Sequence, residues 1–274
     1  MKKIIKLEFI KTLNYPGFKT IIILHAALYL LVVFIGSRIQ LNFQGARLDK
    51  LVSFPNVWGT LAWVGSWFNL LLGILFAILV GNEHQFRTFR KQIMDGVSRN
   101  QLLYAKITVM SVIALYALLL VFLSGLIFGF IYTSNYSLGS IFNNMPLILV
   151  LYIQAFAYMM LGMLIGFIFR TNALSIIMFI LFFFPGEPIL RAFFPDQIDR
   201  FFPIKIISNL TPMPDFLGIA TSDMIQVNGS SPLSLQKMGL LQDSLSMGSS
   251  ILVCLTYIIL FYLATKLIVE KRNF

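Results

Sequence analysis

The sequence predicts an all-α integral membrane protein with six transmembrane helices, and three observations lead to this prediction. Hydrophobic residues make up 58% of the 274 residues, charged residues only 12%, and the mean hydropathy is +0.84. Most of the apolar residues fall in runs of about 20, the length that crosses a bilayer core about 30 Å thick. Short polar segments separate these runs. We therefore expect one transmembrane permease domain over residues 1–274.

The predicted spans follow one another with few interruptions. The first begins after Asn14-Tyr15-Pro16-Gly17, a turn signal that separates it from a lysine-rich start. The fifth is short and runs into Pro185-Gly186-Glu187-Pro188, where we expect the helix to end. The six predicted spans cover residues 20–36, 57–80, 107–131, 145–169, 173–184 and 249–269.

Charge predicts a multi-pass protein of the cell membrane with both termini in the cytoplasm. In this orientation 14 of the 21 lysine and arginine residues are cytoplasmic, as the positive-inside rule requires. Residues 1–19 form a cytoplasmic segment, 81–106 a cytoplasmic loop, and 186–247 an extracytoplasmic segment. Prolines and phenylalanine pairs in that last segment predict short helices in or on the outer leaflet, whereas Asn228-Gly229-Ser230-Ser231-Pro232 predicts an exposed loop.

The spans carry almost no charge, which disfavours a proton- or sodium-coupled carrier. Their polar exceptions are His25, Asn69 and Gln154, which are candidates for a polar path and are more often hydrogen-bonded packing residues. The sequence has no catalytic constellation, no metal-ligand spacing and no phosphate-binding loop, so we expect neither enzyme activity nor a cofactor in this chain. The cations flank the spans and form no basic domain, so no nucleic acid partner is expected.

Two glycine pairs have the spacing that lets helix backbones approach each other closely. They are Gly125-x-x-x-Gly129 in span three and Gly162-x-x-x-Gly166 in span four. They predict tight helix packing, either within the chain or between subunits.

The loop between spans two and three predicts a short amphipathic helix. Phe86, Phe89 and Ile93 would form one apolar face, and Glu83 could pair with Arg87 one turn away. An ordinary interfacial loop, with cations present for topology alone, is the alternative interpretation.

A turn and a new helix should follow. Asp95-Gly96 breaks the pattern, and Ser98 with Gln101 is a capping-box pair that starts span three. The expected result is a helix, a sharp turn and a second helix at the cytoplasmic surface.

The pattern of Glu83, Arg87-Thr88, Gly96-x-Ser98-Arg99 and Lys106 resembles the cytoplasmic loop of ABC-2-type transporter permeases. The six spans, the lysine-rich start with Glu8 and the long outer segment are also similar to that family. Family members often have glycine where this chain has Arg87, and proline where it has Val97.

The resemblance implies that this loop couples the chain to a separate ABC ATPase subunit, which would bind the ATP and magnesium. It also implies a homodimer, or a heterodimer with a related permease, in the lipid bilayer. The implied coupling residues are Glu83, Phe86, Arg87, Thr88, Phe89, Arg90, Lys91, Ile93, Gly96, Ser98 and Arg99.

The expected function is ATP-driven export, and the apolar spans favour a hydrophobic or amphiphilic substrate. Glu83, Arg87, Arg90, Lys91 and Arg99 would then make polar contacts with the ATPase, with the apolar face as a buried anchor. Two other classes stay open: a membrane scaffold that transports nothing, and a carrier or channel that works without ATP.

Overall fold

The computed structural model describes residues 1–38, 42–43, 46–47, 51–135, 137–214 and 245–271, and these residues are mainly helical. The helices are α1 Lys2–Asn14, α2 Pro16–Arg38, α3 Val57–Gln85, α4 Thr88–Met94, α5 Arg99–Tyr132, α6 Leu138–Phe142, α7 Leu147–Phe169, α8 Asn172–Leu181, α9 Glu187–Arg191, α10 Asp196–Asp199, α11 Pro203–Asn209 and α12 Met247–Lys271. After α2, two two-residue strands, β1 Asn42–Phe43 and β2 Ala46–Arg47, form an antiparallel pair. The predicted all-helical fold is therefore confirmed apart from this small hairpin.

Six helical segments are long and apolar enough to cross a bilayer, so the chain is a multi-pass membrane protein with six candidate spans. They are α2, α3, α5, α6 with α7, α8 with α9, and α12. Each of the six predicted spans overlaps one of these six candidate spans. Tyr15 has an extended backbone and separates α1 from α2, as the predicted turn requires.

Helix α7 is the centre of the bundle. In its most apolar stretch 72% of the residues are buried, against 11% in α12. A Cβ atom on Gly162 would overlap the carbonyl oxygen of Gly73 on α3, and one on Gly166 would lie 2.8 Å from the Val80 Cβ. Glycine is therefore what allows α3 and α7 to touch. The predicted close packing of this glycine pair is confirmed, and the contact lies within one chain.

The glycines of α5 accommodate aromatic rings instead of a helix backbone. The indole of Trp58 occupies the space beside Gly125, and the ring of Phe54 occupies the space beside Gly129. Trp58 is fully buried, and its Nε1 donates a hydrogen bond of 2.6 Å to the carbonyl of Ile141. The same sequence spacing thus serves two kinds of packing in this fold.

Span five does not end at Pro185-Gly186-Glu187-Pro188, where the sequence predicted the end of the helix. A π-helical turn at Phe182–Gly186 follows α8 and leads directly into α9, so the helical segment extends to Arg191. Pro185 cannot donate an amide hydrogen bond and would normally break an α-helix. The wider π turn takes up this proline without ending the helix.

The short helices after span five are held together by two carboxylates. Glu187 accepts hydrogen bonds of 2.8 Å from the amides of Ile204 and Lys205, and so caps the start of α11. Asp199 binds the side chains of Lys205 and Arg191. Two short helices follow span five, α10 and α11, as predicted, and the predicted loop at 228–232 lies outside the described residues.

Candidate coupling site

The loop between α3 and α5 contains the predicted short helix, but that helix begins later than the sequence pattern suggested. Helix α3 continues to Gln85, so Glu83 belongs to the second span, and α4 starts at Thr88. Arg87 lies between the two helices in the left-handed conformation, with φ of 53°. The Thr88 hydroxyl donates a hydrogen bond of 3.4 Å to the Glu83 carbonyl across this junction. The two helices are thus distinct bodies joined by a sharp turn.

The turn from α4 into α5 has the predicted chemistry. Gly96 has φ of 87°, a conformation that glycine adopts without strain. The Ser98 hydroxyl accepts a hydrogen bond of 3.3 Å from the Gln101 amide, and the Ser98 amide donates one of 3.1 Å to the Gln101 side chain. The predicted capping box is therefore confirmed, and it fixes where α5 begins.

Four charged side chains meet beneath this loop, and we call them the ion-pair cluster. The Lys106 ammonium lies 2.8 Å from Glu8 and 2.5 Å from Glu83. The Lys11 ammonium lies 2.6 Å from Glu8 and also binds Glu83. The predicted pairing of Glu83 with Arg87 is wrong, because Glu83 faces α1 and α5 and Arg87 lies outside its helix. The cluster joins α1, α3 and α5.

Three of the four side chains of the ion-pair cluster are buried, the Lys11 side chain is 30% exposed, and the two acids match the two lysines in number. Glu8 and Glu83 are each 4% exposed and Lys106 is 3% exposed. Burial alone raises the pKa of Glu8, but the charges and hydrogen bonds of Lys106 and Lys11 outweigh it and lower this pKa from 4.5 to about 2. The stabilising effect of this carboxylate is complete above pH 4.5 and is lost only as the pH falls towards 2. Glu8 is therefore charged at physiological pH.

Aromatic contacts attach α4 to the bundle. Phe89 is 1% exposed, and its ring lies 5.6 Å from that of Phe167 on α7 and 6.0 Å from that of His84 on α3. Ile93 is half-buried against the same core. The prediction that Phe86 shares this buried face is wrong, since Phe86 is 69% exposed. It lies between the helices, and the rotation at Arg87 breaks the helical register on which that prediction depended.

The opposite side of α4 and its junction with α3 is exposed, and we call it the α4 surface. It combines two large apolar side chains with three cations. Met94 is 70% exposed, similar to Phe86. The α4 surface consists of Phe86, Arg87, Arg90, Lys91 and Met94. Exposed aromatic, methionine and arginine side chains are enriched at surfaces that bind other proteins.

Arg99 contacts the end of the last span. Its guanidinium donates hydrogen bonds of 2.7 Å and 2.5 Å to the carbonyls of Val269 and Glu270. A cation that binds the free carbonyls at a helix C-terminus is favourable. Arg99 thus ties the start of α5 to the end of α12, and reversing its charge would first break a contact within this chain.

Residues 4–186, two thirds of the chain, match the sequence model of a family described as ABC-2 family transporter protein. The chain belongs to this ABC-2 family. The match includes most of α1, the whole α3–α5 junction and the ion-pair cluster. This ABC-2 protein is thus a non-catalytic transmembrane subunit of a family whose permeases generally pair with ABC ATPases. No curated protein matches its sequence.

The three polar residues predicted in the spans of this ABC-2 protein come together in part. Asn69 on α3 donates a hydrogen bond of 3.2 Å to Gln154 on α7. Gln154 in turn donates to the Ile207 carbonyl at 2.9 Å and to the Thr211 hydroxyl at 3.1 Å. These contacts tie the centre of the bundle to the short helices after span five. A role for them in a substrate path stays a prediction.

His25 lies on α2 and is buried. The hydroxyl of Tyr116 on α5 lies 3.5 Å from its Nδ1, and the two rings are 5.7 Å apart. The side chain of Asn69 is a second neighbour of the His25 ring. This histidine therefore lies where α2, α3 and α5 of the ABC-2 protein meet.

Sequence reasoning did not identify the ion-pair cluster or Phe167 as parts of the site. A signal was present, because Lys106 stands at the edge of an apolar run, and Glu8 and Lys11 are three residues apart on one helix. Glu83 lies some 75 residues after α1 in the chain, and nothing in the sequence indicates that these charges meet it. Helix packing brings them together.

Proposed function

We propose that this ABC-2 protein is the transmembrane subunit of an ATP-driven exporter, and that a separate ABC ATPase subunit binds its α4 surface. The observation that carries the proposal is the two-sided environment of α4. Phe89 anchors one side in the bundle, whereas Phe86, Arg90, Lys91 and Met94 are exposed on the other. The ATPase binds and hydrolyses ATP with magnesium, and this chain supplies the membrane path.

The proposal requires one end of the bundle to face the cytoplasm. Helix α1, the α3–α5 junction and the end of α12 meet at that end through the contacts of Lys106 with Glu8 and of Arg99 with Val269. This end also carries most of the lysine and arginine residues, which are retained on the cytoplasmic side of membranes. Both termini are then cytoplasmic.

The proposed coupling is mechanical. ATP binding closes a pair of ATPase subunits and displaces α4, which moves as a rigid body because a turn holds each of its ends. Phe89 passes this displacement to α7 through Phe167. The ion-pair cluster makes α1 and α5 follow α3. Two copies of this chain, or one copy and a related permease, pack around a central path.

A cavity of about 430 Å³ supports a hydrophobic or amphiphilic cargo. It lies between α3, α7, the π-helical turn and α11, and five of the twelve residues that line it are aromatic. These aromatic residues are Trp63, Trp67, Tyr158, Phe183 and Phe184. Ser208, Asn209 and Thr211 add polar groups at one side, which suits a molecule with a polar end.

The decisive experiment is a mild-detergent pull-down of the tagged chain from its native cell, with mass spectrometry of the copurifying proteins. We expect a nucleotide-binding ABC ATPase with the wild type. The variant R90E/K91E, which reverses two charges of the α4 surface, should reduce its recovery about tenfold, the effect of about 1.4 kcal/mol of binding free energy. Lys19→Glu is the matched control, since Lys19 is also exposed but lies on α2.

Equal recovery of the ATPase with R90E/K91E and the wild type would contradict the proposed contact. Recovery of other membrane proteins without any ATPase would contradict transport, and would favour the alternative of a non-transporting scaffold. Size-exclusion chromatography of each variant tests whether the spans are folded. Because Arg90 and Lys91 are exposed, their replacement should not disturb the core.

A further inference from the structure

The cavity of about 430 Å³ beside α11 has a hydrogen-bonding side that limits what it can bind. Four residues with hydroxyl groups line it, and we call these groups the cavity hydroxyls. They belong to Ser66 on α3, Tyr158 on α7, Ser208 on α11 and Thr211 just after α11. A hydroxyl group has one hydrogen to donate, so the hydrogen bonds it already makes decide whether it can donate to a bound molecule.

The two serines donate their hydrogens within their own helices. The Ser66 hydroxyl donates a hydrogen bond of 2.7 Å to the Trp63 carbonyl, and the Ser208 hydroxyl donates one of 3.1 Å to the Lys205 carbonyl. These two cavity hydroxyls can accept a hydrogen bond from a ligand. They cannot donate one without losing the contact with the backbone.

The Thr211 hydroxyl differs because its oxygen acts as an acceptor. It accepts a hydrogen bond of 3.1 Å from Nε2 of Gln154, which is 0% exposed. Asn69 donates to Oε1 of Gln154 at 3.2 Å, and this contact directs the Gln154 nitrogen towards Thr211. The hydrogen of the Thr211 hydroxyl is thus left to donate, and the hydrogen bonds of the described residues include no acceptor for it.

Tyr158 supplies a second donor. It is 2% exposed, and its ring lies 5.8 Å from that of Phe183, another residue of the cavity wall. Within the part of the chain that the structure describes, its hydroxyl makes no hydrogen bond. A buried hydroxyl without a partner is costly, so a ligand oxygen that accepts from Tyr158 would be stabilising.

The wall of the cavity disfavours a charged headgroup. Of the described residues that line it, none is charged. Burying an ionised group without a counter-charge is costly, and the negative faces of aromatic rings repel anions. Ring faces attract cations, but an ammonium headgroup offers no acceptor oxygen to Thr211 and Tyr158. An uncharged headgroup with oxygen atoms fits both the wall and the two donors.

We propose that the cargo of this ABC-2 protein is an amphiphile with an uncharged, oxygen-bearing headgroup, and that Thr211 and Tyr158 donate hydrogen bonds to its oxygens. Ester, amide and glycosyl headgroups share this chemistry. The apolar part of the cargo lies against the aromatic wall. Gln154 is a positioning residue, because it acts through Thr211. This inference rests on the proposed function and names the class of cargo.

Three amphiphiles with the same octyl chain test the headgroup: octyl glucoside, octyltrimethylammonium bromide and octyl sulfate. Each is titrated into the full chain in nanodiscs of uncharged lipid, and empty nanodiscs give its partitioning into lipid. Tryptophan emission reports binding, because two of the chain's three tryptophans, Trp63 and Trp67, line the cavity. We expect octyl glucoside to half-saturate the signal at about one tenth of the lipid-bound concentration that either charged probe needs.

Single substitutions test the two donors. Thr211→Val and Tyr158→Phe remove a hydroxyl with little change in shape, and each should weaken octyl glucoside binding about threefold to tenfold, the effect of one neutral hydrogen bond. Thr211→Ser keeps the hydroxyl and should bind like the wild type. Ser208→Ala is the matched control, because the Ser208 hydroxyl lines the same cavity but donates to the Lys205 carbonyl. It should change binding by less than about twofold.

Two results would overturn this inference. One is a charged probe that binds as tightly as octyl glucoside, and the other is unchanged octyl glucoside binding in the double variant T211V/Y158F. The measurement needs no ATPase, so it is independent of the pull-down. If the headgroup preference is found but no ATPase is recovered, the ligand class stands and export is overturned. If the ATPase is recovered but the preference is absent, only this inference is overturned.

Discussion

Replacing Lys106 with methionine is expected to destabilise the protein by about 3–5 kcal/mol, the cost of removing one partner from a buried ion pair. Methionine keeps the length and apolar stem of the side chain but leaves Glu8 and Glu83 with Lys11 as their shared cation. Both carboxylates are 4% exposed, so little water reaches them to replace the lost ammonium. Thermal size-exclusion chromatography should show a midpoint lower by on the order of 10 °C.

Two control variants make this result specific to the ion-pair cluster. The double variant K106M/E83Q restores charge balance, and it should recover at least half of the lost midpoint. Lys266→Met removes the cation of an exposed ion pair, in which the Lys266 Nζ lies 3.8 Å from the Glu270 Oε1. This variant should change the free energy of unfolding by less than about 1 kcal/mol. A double variant no more stable than K106M would show that the charges are not coupled.

Replacing Gly162 with leucine is expected to prevent assembly of the bundle. The Cβ atom would overlap the carbonyl oxygen of Gly73 and lie 3.3 Å from the amide nitrogen of Ala77. These are backbone atoms, and the Cβ position is fixed by the backbone of α7, so no change of rotamer relieves the overlap. Overpacking costs about 1–3 kcal/mol where side chains can move, and the cost here should exceed that range.

The same contact can be tested with a smaller change. Gly162→Ala should still lower the thermal midpoint, although alanine favours a helix over glycine by about 1 kcal/mol. Gly36→Ala is the matched control, because no atom lies within 4 Å of a Cβ at this helical position. It should leave the midpoint unchanged or raise it. A wild-type midpoint for Gly162→Ala would show that α3 and α7 are further apart than described.

The sequence predicted the spans, the turn chemistry and the family because each depends on residues close together in the chain. A run of about 20 apolar residues partitions into lipid whatever its neighbours are. The capping box of Ser98 and Gln101 and the turn at Gly96 are likewise local, and both are found where predicted. The family match of residues 4–186 includes the loop on which the resemblance depended.

The tertiary structure decided which charged side chains pair and which side chains face the core. Glu83 binds Lys11 and Lys106 because α1 packs beside the ends of α3 and α5, whereas its sequence neighbours favoured Arg87. Phe86 is exposed because α3 ends at Gln85 and the chain turns before α4 begins. A helical pattern in sequence assumes one continuous helix, so a break within it changes which side chains face the core.

The end of span five is another feature that local sequence did not predict. Pro185 and Pro188 predicted a helix end, and a π-helical turn instead continues the helix to Arg191. That continuation places Glu187 where its carboxylate caps α11. Local sequence thus determined which segments enter the membrane, through their transfer free energy from water to lipid. Which charges pair and which face of α4 is exposed were decided only by how the helices pack, because these contacts join residues that are distant in the chain.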